Sequence, residues 1–242
     1  MTDAREFATS LAEVARTINR PQSMAETLDA IAHAAEHAIP GFDEVGISLM
    51  HADGKVETKA ATGDLVWQLD TLQYELDEGP CVSSLREEPV IVVDHVRDAQ
   101  RWPRYVPEAV KRGLKAQMAL RLYVDEDGTL GGINLYSTSG EEIEPHAPEV
   151  AQLFAAQAAV ALGHAQELHH LNRALESRQQ IGEAIGVLIE RYQLDQQAAF
   201  NFLVRLSSHS NTKLREVAAR VVADAVSVSQ QATKPRSTDR QW

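Results

Sequence analysis

The stretch RQQIGEAIGVLIERYQLDQQAAFNFLVRLSSHSNTKLREVAARVV, residues 178–222, decides the architecture of the chain's last third. Its first part places Ile181, Ile185, Leu188 and Ile189 on one 3.6-residue face, and its last part does the same with Leu214, Val217, Ala218, Val221 and Val222, a stripe that Ala225 extends. Between them Asp195 is a candidate N-cap for a segment in which Ala199, Phe202, Leu203 and Leu206 share a face. Amphipathic stripes of this length need partners. The spacing therefore predicts a compact three-helix bundle with breaks near Gln193 and near Ser210 and Asn211.

Arg178, Ile181, Ala184, Gly186, Leu188, Ala198, Ala199, Phe200, Leu203, Ser207, Asn211, Leu214, Val217 and Ala218 together resemble the ANTAR family, the RNA-binding output module of bacterial transcription antitermination regulators. One departure stands out: many family members have Ala-Lys-Gly where this chain has Ala184-Ile185-Gly186. The resemblance implies that the bundle binds RNA hairpins, and that a paired-hairpin target is met by two bundles in a homodimer. Exposed loop bases are read by hydrogen-bonding side chains, and the backbone by Arg or Lys. On that chemistry Ser207, Asn211 and Thr212 are candidate readers, flanked by Arg205, Lys213 and Arg215, with Arg178 and Arg191 as further phosphate partners. Each has a plainer alternative. Asn211 or Thr212 can be the N-cap of the third helix, and Arg191 can pair with Asp195. Ala184 and Gly186 read as close-packing positions.

Charge supports placing any RNA surface here. Residues 171–226 carry seven Lys and Arg against six Asp and Glu, whereas residues 1–170 carry 13 against 28, within a net charge of −12 for 242 residues. The first two thirds would repel phosphate. Even in the last third the positive excess is thin. No apolar run approaches a bilayer-spanning length, and the start MTDAREFATS lacks a basic region followed by an apolar core, so a cytoplasmic protein without a membrane partner is expected. A single cysteine, Cys81, excludes an internal disulfide framework and a Cys-rich zinc site.

Upstream of the bundle the periodicity changes several times. Phe7, Leu11, Val14, Ala15 and Ile18 predict an N-terminal helix over residues 3–20. Ser23 with Glu26 forms a capping-box pattern that opens a second helix, closed at Pro40 and Gly41. Val45, Ile47 and Leu49, then Val56, Thr58 and Ala60, alternate about Asp53 and Gly54 as a hairpin. A helix over 64–76, a short buried strand over 90–93, a helix over 103–112 and a hairpin of 115–124 with 129–137 follow, and the pattern is helical from Pro145. This order predicts an α+β domain, an antiparallel sheet with helices packed on one face. Phe154, Ala158, Ala161, Ala165 and Leu168 recur at helical steps with no proline from Glu149 to Arg178, so one helix is expected to run from this domain into the bundle.

Residues 23–170 resemble the GAF domain, a small-molecule sensing fold, through this element order and the segment Glu78-Gly79-Pro80-Cys81. The resemblance implies a cavity between sheet and helices, for which Trp67, Tyr74, Cys81, Trp102, Tyr105, Met118, Leu120 and Tyr136 are candidate lining residues; ordinary core is the plainer reading of each. Cys81 follows a Gly-Pro turn at an apparent helix start, where the dipole favours a lowered thiol pKa. The bland alternative is a small buried hydrophobe. His33 and His37 form an H-x-x-E-H pattern without a third carboxylate, and His164, His169 and His170 fall on different faces, so no metal site is expected. Nothing in the sequence names a cofactor.

The expected organisation is an N-terminal helix (1–22), a GAF-like sensor (23–170) whose last helix, from about 146, runs on as connector, an ANTAR-like bundle (171–226) and a flexible tail (227–242). The expected function is signal-responsive RNA binding that promotes antitermination. A protein-interaction or dimerisation module that does not bind RNA is the alternative. An enzyme is not expected, since no nucleophile–base pair or phosphate loop appears.

Overall fold

The structure, a computed structural model, describes residues 15–18, 23–51, 53–125 and 128–232, without the side chains of 123–130 and 228–232. Most of the expected N-terminal helix lies outside the described residues; 15–18 are helical and Ile18 is buried. The chain divides into two compact units, residues 1–167 and 168–242.

In the first unit, Ser23 and Glu26 exchange side-chain-to-backbone bonds that satisfy two orphan amides and open α1, Met24–Ala38. Strands β1 (Glu44–Met50) and β2 (Val56–Ala61) form the first hairpin. Helices α2 (Asp64–Leu76) and α3 (Pro80–Arg86), strand β3 (Val90–Val93) and helix α4 (Tyr105–Lys111) follow. Strands β4 (Ala116–Asp125) and β5 (Gly128–Ser137) close a five-stranded antiparallel sheet in the order β2-β1-β5-β4-β3. Glu126 and Asp127, at the expected second turn, lie outside the described residues.

Both sheet faces carry helices, which corrects the one-sided packing expected from sequence. On β5, Ile133 and Leu135 face one way, into a core shared with Met118 and Leu120 of β4, Ile31 and Ala35 of α1, and Phe154 and Ala158 of the long C-terminal helix. Asn134 and Tyr136 face the other way and are equally buried, because α2 and α4 cover that side with Val66, Leu69, Tyr105 and Ala109. The period of two in a strand guarantees two faces but not which is wet. Gly46 makes the close approach of α2 possible: a Cβ there would lie 2.5 Å from Val66 Cγ1 and 3.1 Å from Asp70 Oδ2. The strand β3 is less buried than expected, with Val92 exposed at the sheet's edge.

Helix α5, Ala147–Tyr192, is a single 46-residue helix, as the absence of proline predicts. It ends where Gln193 turns left-handed. In the second unit α6 (Gln196–Ser210) is capped by Asp195, whose carboxylate accepts from Ala198 N at 2.7 Å, and α7 runs Leu214–Ala232. Ala184 and Leu188 pack with Ala199, Leu203, Val217 and Ala218 as the bundle's core. Four expectations need correction. Phe202 and Leu206 are exposed, because the buried stripe of α6 is only as wide as Ala199 and Leu203. Gly186 is exposed and a Cβ there would meet nothing within 4 Å, so it is no close-packing position. Asn211 is the left-handed C-cap of α6 and not the N-cap of α7. Residues 227–232, expected in a flexible tail, continue α7.

Candidate functional site

Two places concentrate side chains whose chemistry exceeds what packing requires, and each lies within one unit. The first is the layer between the sheet and helices α2 and α3. Its geometry begins at Glu78-Gly79-Pro80-Cys81. Glu78 accepts from Arg104 through Nε at 2.7 Å and backbone N at 2.9 Å, tying the start of α4 to this turn; the Arg104 guanidinium holds the Glu78 carboxyl below its usual range. Gly79 sits at φ +123°, and a Cβ on it would strike Gln73 at 2.4 Å. Only glycine leaves that room. Pro80 takes a first-turn helix position that needs no amide donor, and Cys81 N donates to Gln73 Oε1 at 2.8 Å.

Beneath this turn lies a network of buried polar groups. Asp70, fully buried, accepts from Thr58 Oγ1 at 2.6 Å, from Asn134 Nδ2 at 3.0 Å and from Tyr136 OH. Asn134 Nδ2 also lies 3.1 Å from Ser48 Oγ and 3.1 Å from Cys81 Sγ. Tyr74 OH meets Ser48 Oγ at 2.6 Å and Thr58 Oγ1 at 3.1 Å. Gln73 Nε2 donates to Tyr136 OH, and Tyr105 OH donates to Gln117 Oε1. Burial pushes the Asp70 carboxyl up to about 6, against the pull of its Thr58, Tyr136 and Asn134 donors. Burial and then the Asp70 charge push the Cys81 thiol up to about 12. That reverses the lowered value expected from a helix start, since desolvation of a thiolate outweighs a dipole of one short helix.

The eight candidate lining residues divide accordingly. Cys81, Tyr74 and Tyr136 belong to the network, Tyr105 joins it through Gln117, and Trp102 donates to Ser83 Oγ at 3.1 Å beside it. Met118 and Leu120 point to the opposite sheet face, and Trp67 is 45% exposed, one position off the buried stripe of α2. These three are corrections to the expected lining. Sequence reading missed Ser48, Thr58, Asp70, Gln73, Gln117 and Asn134. A cleft of about 250 Å³ adjoins the network, lined among others by Met50, Val56, Tyr74, Val82, Leu85 and Arg86.

The second place is the turn between α6 and α7. Ser207 Oγ donates to Thr212 O at 2.6 Å while Thr212 N donates to Ser207 O at 3.1 Å, a reciprocal clamp, and Thr212 Oγ1 donates to Ser210 O. Ser207 and Thr212 are thus engaged by the turn itself. Asn211 and Lys213 are exposed beside it, as is Arg205 on α6; Arg215 is half-buried, 3.9 Å from Glu216. Arg178 and Arg191 are exposed on α5 but lie about 20 Å apart along its axis and on opposing flanks. The turn brings Asn211, Thr212 and Lys213 together; it does not gather the two α5 arginines.

His33 and His37 are exposed, each with Nδ1 engaged by a backbone carbonyl one turn earlier. Among the described residues no group of His, Cys, Asp and Glu is arranged to hold a metal ion, and no helix is long and apolar enough to cross a membrane.

An antiparallel sheet sandwiched by helices, with a polar interior under an E-G-P-C turn, and a separate three-helix unit define a sensor-and-output class of protein. The GAF domain family matches residues 21–163 and the ANTAR domain family residues 169–222. The chain belongs to the GAF domain family, with an ANTAR domain following in the GAF–ANTAR order. These are regulatory domains of signal-sensing, RNA-binding antitermination regulators. Among curated proteins nothing matches the chain significantly. Solved structures support the fold: the GAF domain of Acinetobacter phosphoenolpyruvate-protein phosphotransferase (TM-score 0.52, 15% identity, 68% of this chain and 98% of that one) and the free methionine-R-sulfoxide reductase of Neisseria meningitidis in complex with its substrate (0.53, 11%, 69% and 93%). The Stigmatella aurantiaca phytochrome photosensory core module is also similar (0.54, 10%), but this chain, matched over 80% of its length, spans only 43% of it.

Proposed function

We propose that the chain is a signal-responsive regulator that binds RNA hairpins and promotes transcription antitermination, with the occupancy of the GAF domain's interior setting the activity of the ANTAR bundle. In this reading residues 1–22 form an N-terminal helix, 23–170 the sensor and connector, and 171–226 the output bundle, whose last helix runs on to Ala232 ahead of the tail. The protein acts in the cytoplasm as a homodimer that presents two bundles to paired hairpins. The observation that carries the RNA reading is the α6–α7 turn, where Asn211 and Lys213 stand exposed on a backbone fixed by Ser207 and Thr212. Asn211 reads a base, and Arg205, Lys213 and Arg215 take phosphates, with Arg178 and Arg191 as outlying phosphate contacts; Ser207 and Thr212 act by holding the turn. Neither domain supplies catalytic machinery in this reading. Hairpin binding by the full chain tests it: Lys213→Ala and Arg205→Ala should each weaken binding several-fold, and unchanged affinity in both ends the assignment.

A second reading has one observation in its favour. Phe202 and Leu206, one turn apart on α6, are both more than a third exposed, and the Tyr192 ring lies tilted against Phe202 with centroids 6.3 Å apart. Such a surface suits docking of a protein. Its binding should change little with salt, whereas RNA binding should weaken as salt rises, in proportion to the phosphates it contacts.

A further inference from the structure

Among the described residues Asp70 is the one charged side chain in the buried set, and its partners Thr58, Asn134 and Tyr136 are all neutral. Taking a carboxylate out of water is costly, and neutral donors recover only part of that cost. With its carboxyl near 6, Asp70 is ionised at neutral pH. Beside it the fully buried Asn134 Oδ1 has no hydrogen-bond partner, while the amide's two hydrogens face three acceptors, Ser48 Oγ, Asp70 Oδ1 and Cys81 Sγ. The site therefore holds more accepting capacity than donors, with negative charge at its centre.

An independent feature leads to it. The cleft of about 250 Å³ is lined by the apolar side chains of Met50, Val56, Val82 and Leu85, by Tyr74, and by the charged Lys55, Arg86 and Asp77, of which Arg86 and Asp77 pair with each other at 2.7 Å. The hydroxyl of Tyr74 reaches Ser48 and Thr58, and Thr58 donates directly to Asp70. One aromatic side chain thus stands between the cleft and a buried carboxylate whose donors are all neutral.

We propose that the cleft and the polar cluster form one recognition site for a small ligand with an ammonium group and a compact apolar body. The ammonium reaches Asp70 and Asn134 Oδ1, the body lies against Met50, Val56, Val82 and Leu85, and Tyr74 swings aside to admit it. This rests on the reading of the domain as a ligand sensor and names its ligand class. An ammonium brings three donors and the missing positive charge. A neutral hydroxyl brings one donor and no charge, and a carboxylate would face Asp70 directly.

Thermal unfolding of the full chain with isoamylamine, isoamyl alcohol or isovalerate, three probes sharing one apolar body, tests the assignment. The amine should raise Tm by about 3 °C when present at ten times its Kd, and the alcohol and acid should not. The rise should vanish in Asp70→Asn, whose circular dichroism reports that it is folded, and persist in Tyr74→Phe, which loses the hydroxyl tether but keeps the ring. An alcohol effect equal to the amine's, or an amine effect unchanged in Asp70→Asn, overturns the proposal. A response to the alcohol or acid without the amine overturns the ligand class while leaving a ligand-sensing site. No response to any of the three overturns the site itself.

Discussion

Asp70 gives the sensor a measurable proton linkage. Its folded carboxyl lies near 6 against an ordinary 3.8, so between those values the folded chain holds the proton more tightly than the unfolded one. The associated stability is fully present below the lower value and is lost as pH rises through the upper, by about 3 kcal/mol. Glu57, Glu78 and Glu108, whose carboxyls are held low by Lys59, Arg104 and Lys111, act in the opposite sense and mask it in the raw profile. The difference between wild type and Asp70→Asn isolates it: the variant should gain on the wild type by roughly that amount in urea unfolding between about pH 4 and about pH 7, and a flat difference would show that the carboxyl titrates normally. At the α6–α7 turn, Asn211 holds φ +49°, which glycine adopts freely and alanine does not. Asn211→Gly should leave stability nearly unchanged while Asn211→Ala costs about 1 kcal/mol. If Asn211 reads a base, both should weaken hairpin binding; retained affinity in the glycine variant reduces the residue to a cap. The aromatic and thiol members of the buried network, Tyr74, Tyr105, Tyr136 and Cys81, were legible in the sequence as candidate lining; Ser48, Thr58, Asp70, Gln73, Gln117 and Asn134 were not. Ser48 and Asn134 occupy the positions between apolar residues that a half-wet strand assigns to solvent, and only the cover supplied by α2 and α3 makes them interior.

At the scale of elements, periodicity carried most of the information. The capping box at Ser23, the hairpin at Asp53 and Gly54, the breaks at Gln193 and Asn211 and the proline-free run of α5 all follow from local chemistry that acts before tertiary contacts form. What a stripe packs against was less legible. The helices over 64–76 and 105–111 each need cover, and a sheet can provide it on either face, so the two-sided sandwich had no local signal. On α6 the same limit applies: Phe202 and Leu206 flank Ala199 and Leu203 closely enough to look buried, yet the bundle is too small to cover all four. Because its core rests on six fully enclosed side chains, Leu203→Ala should cost about 2–5 kcal/mol and melt the bundle ahead of the GAF domain. Two separated transitions in the variant's calorimetric trace are the expected result, and one unshifted transition would show that the bundle is stabilised by something other than this core.

For the whole molecule, charge sets how RNA is met. The acidic first two thirds contribute nothing attractive, so the salt dependence of hairpin binding should be shallow for a nucleic-acid binder and should report only a few phosphates. Removing one phosphate contact with Lys213→Ala should lower the slope of log K against log salt by about 0.7 to 0.9. An unchanged slope with weakened binding would assign Lys213 to the turn's structure and not to the phosphate. The family resemblance was legible at both ends of the chain because its carriers are backbone-dictated positions: Gly79, with its positive φ and no room for a Cβ, and Asn211, with its left-handed cap.

Cys81 is the chain's single thiol, enclosed by α2, the sheet and its own helix, and held protonated with a pKa near 12. A thiol silenced twice over, by enclosure and by protonation, makes the native protein its own stopwatch. Each alkylation event with iodoacetamide counts one excursion in which the sensor's interior parts and the sulfur meets water. The ratio of that rate to the unfolded chain's gives the free energy of the opening, without a label, an added cysteine or knowledge of what the sensor binds.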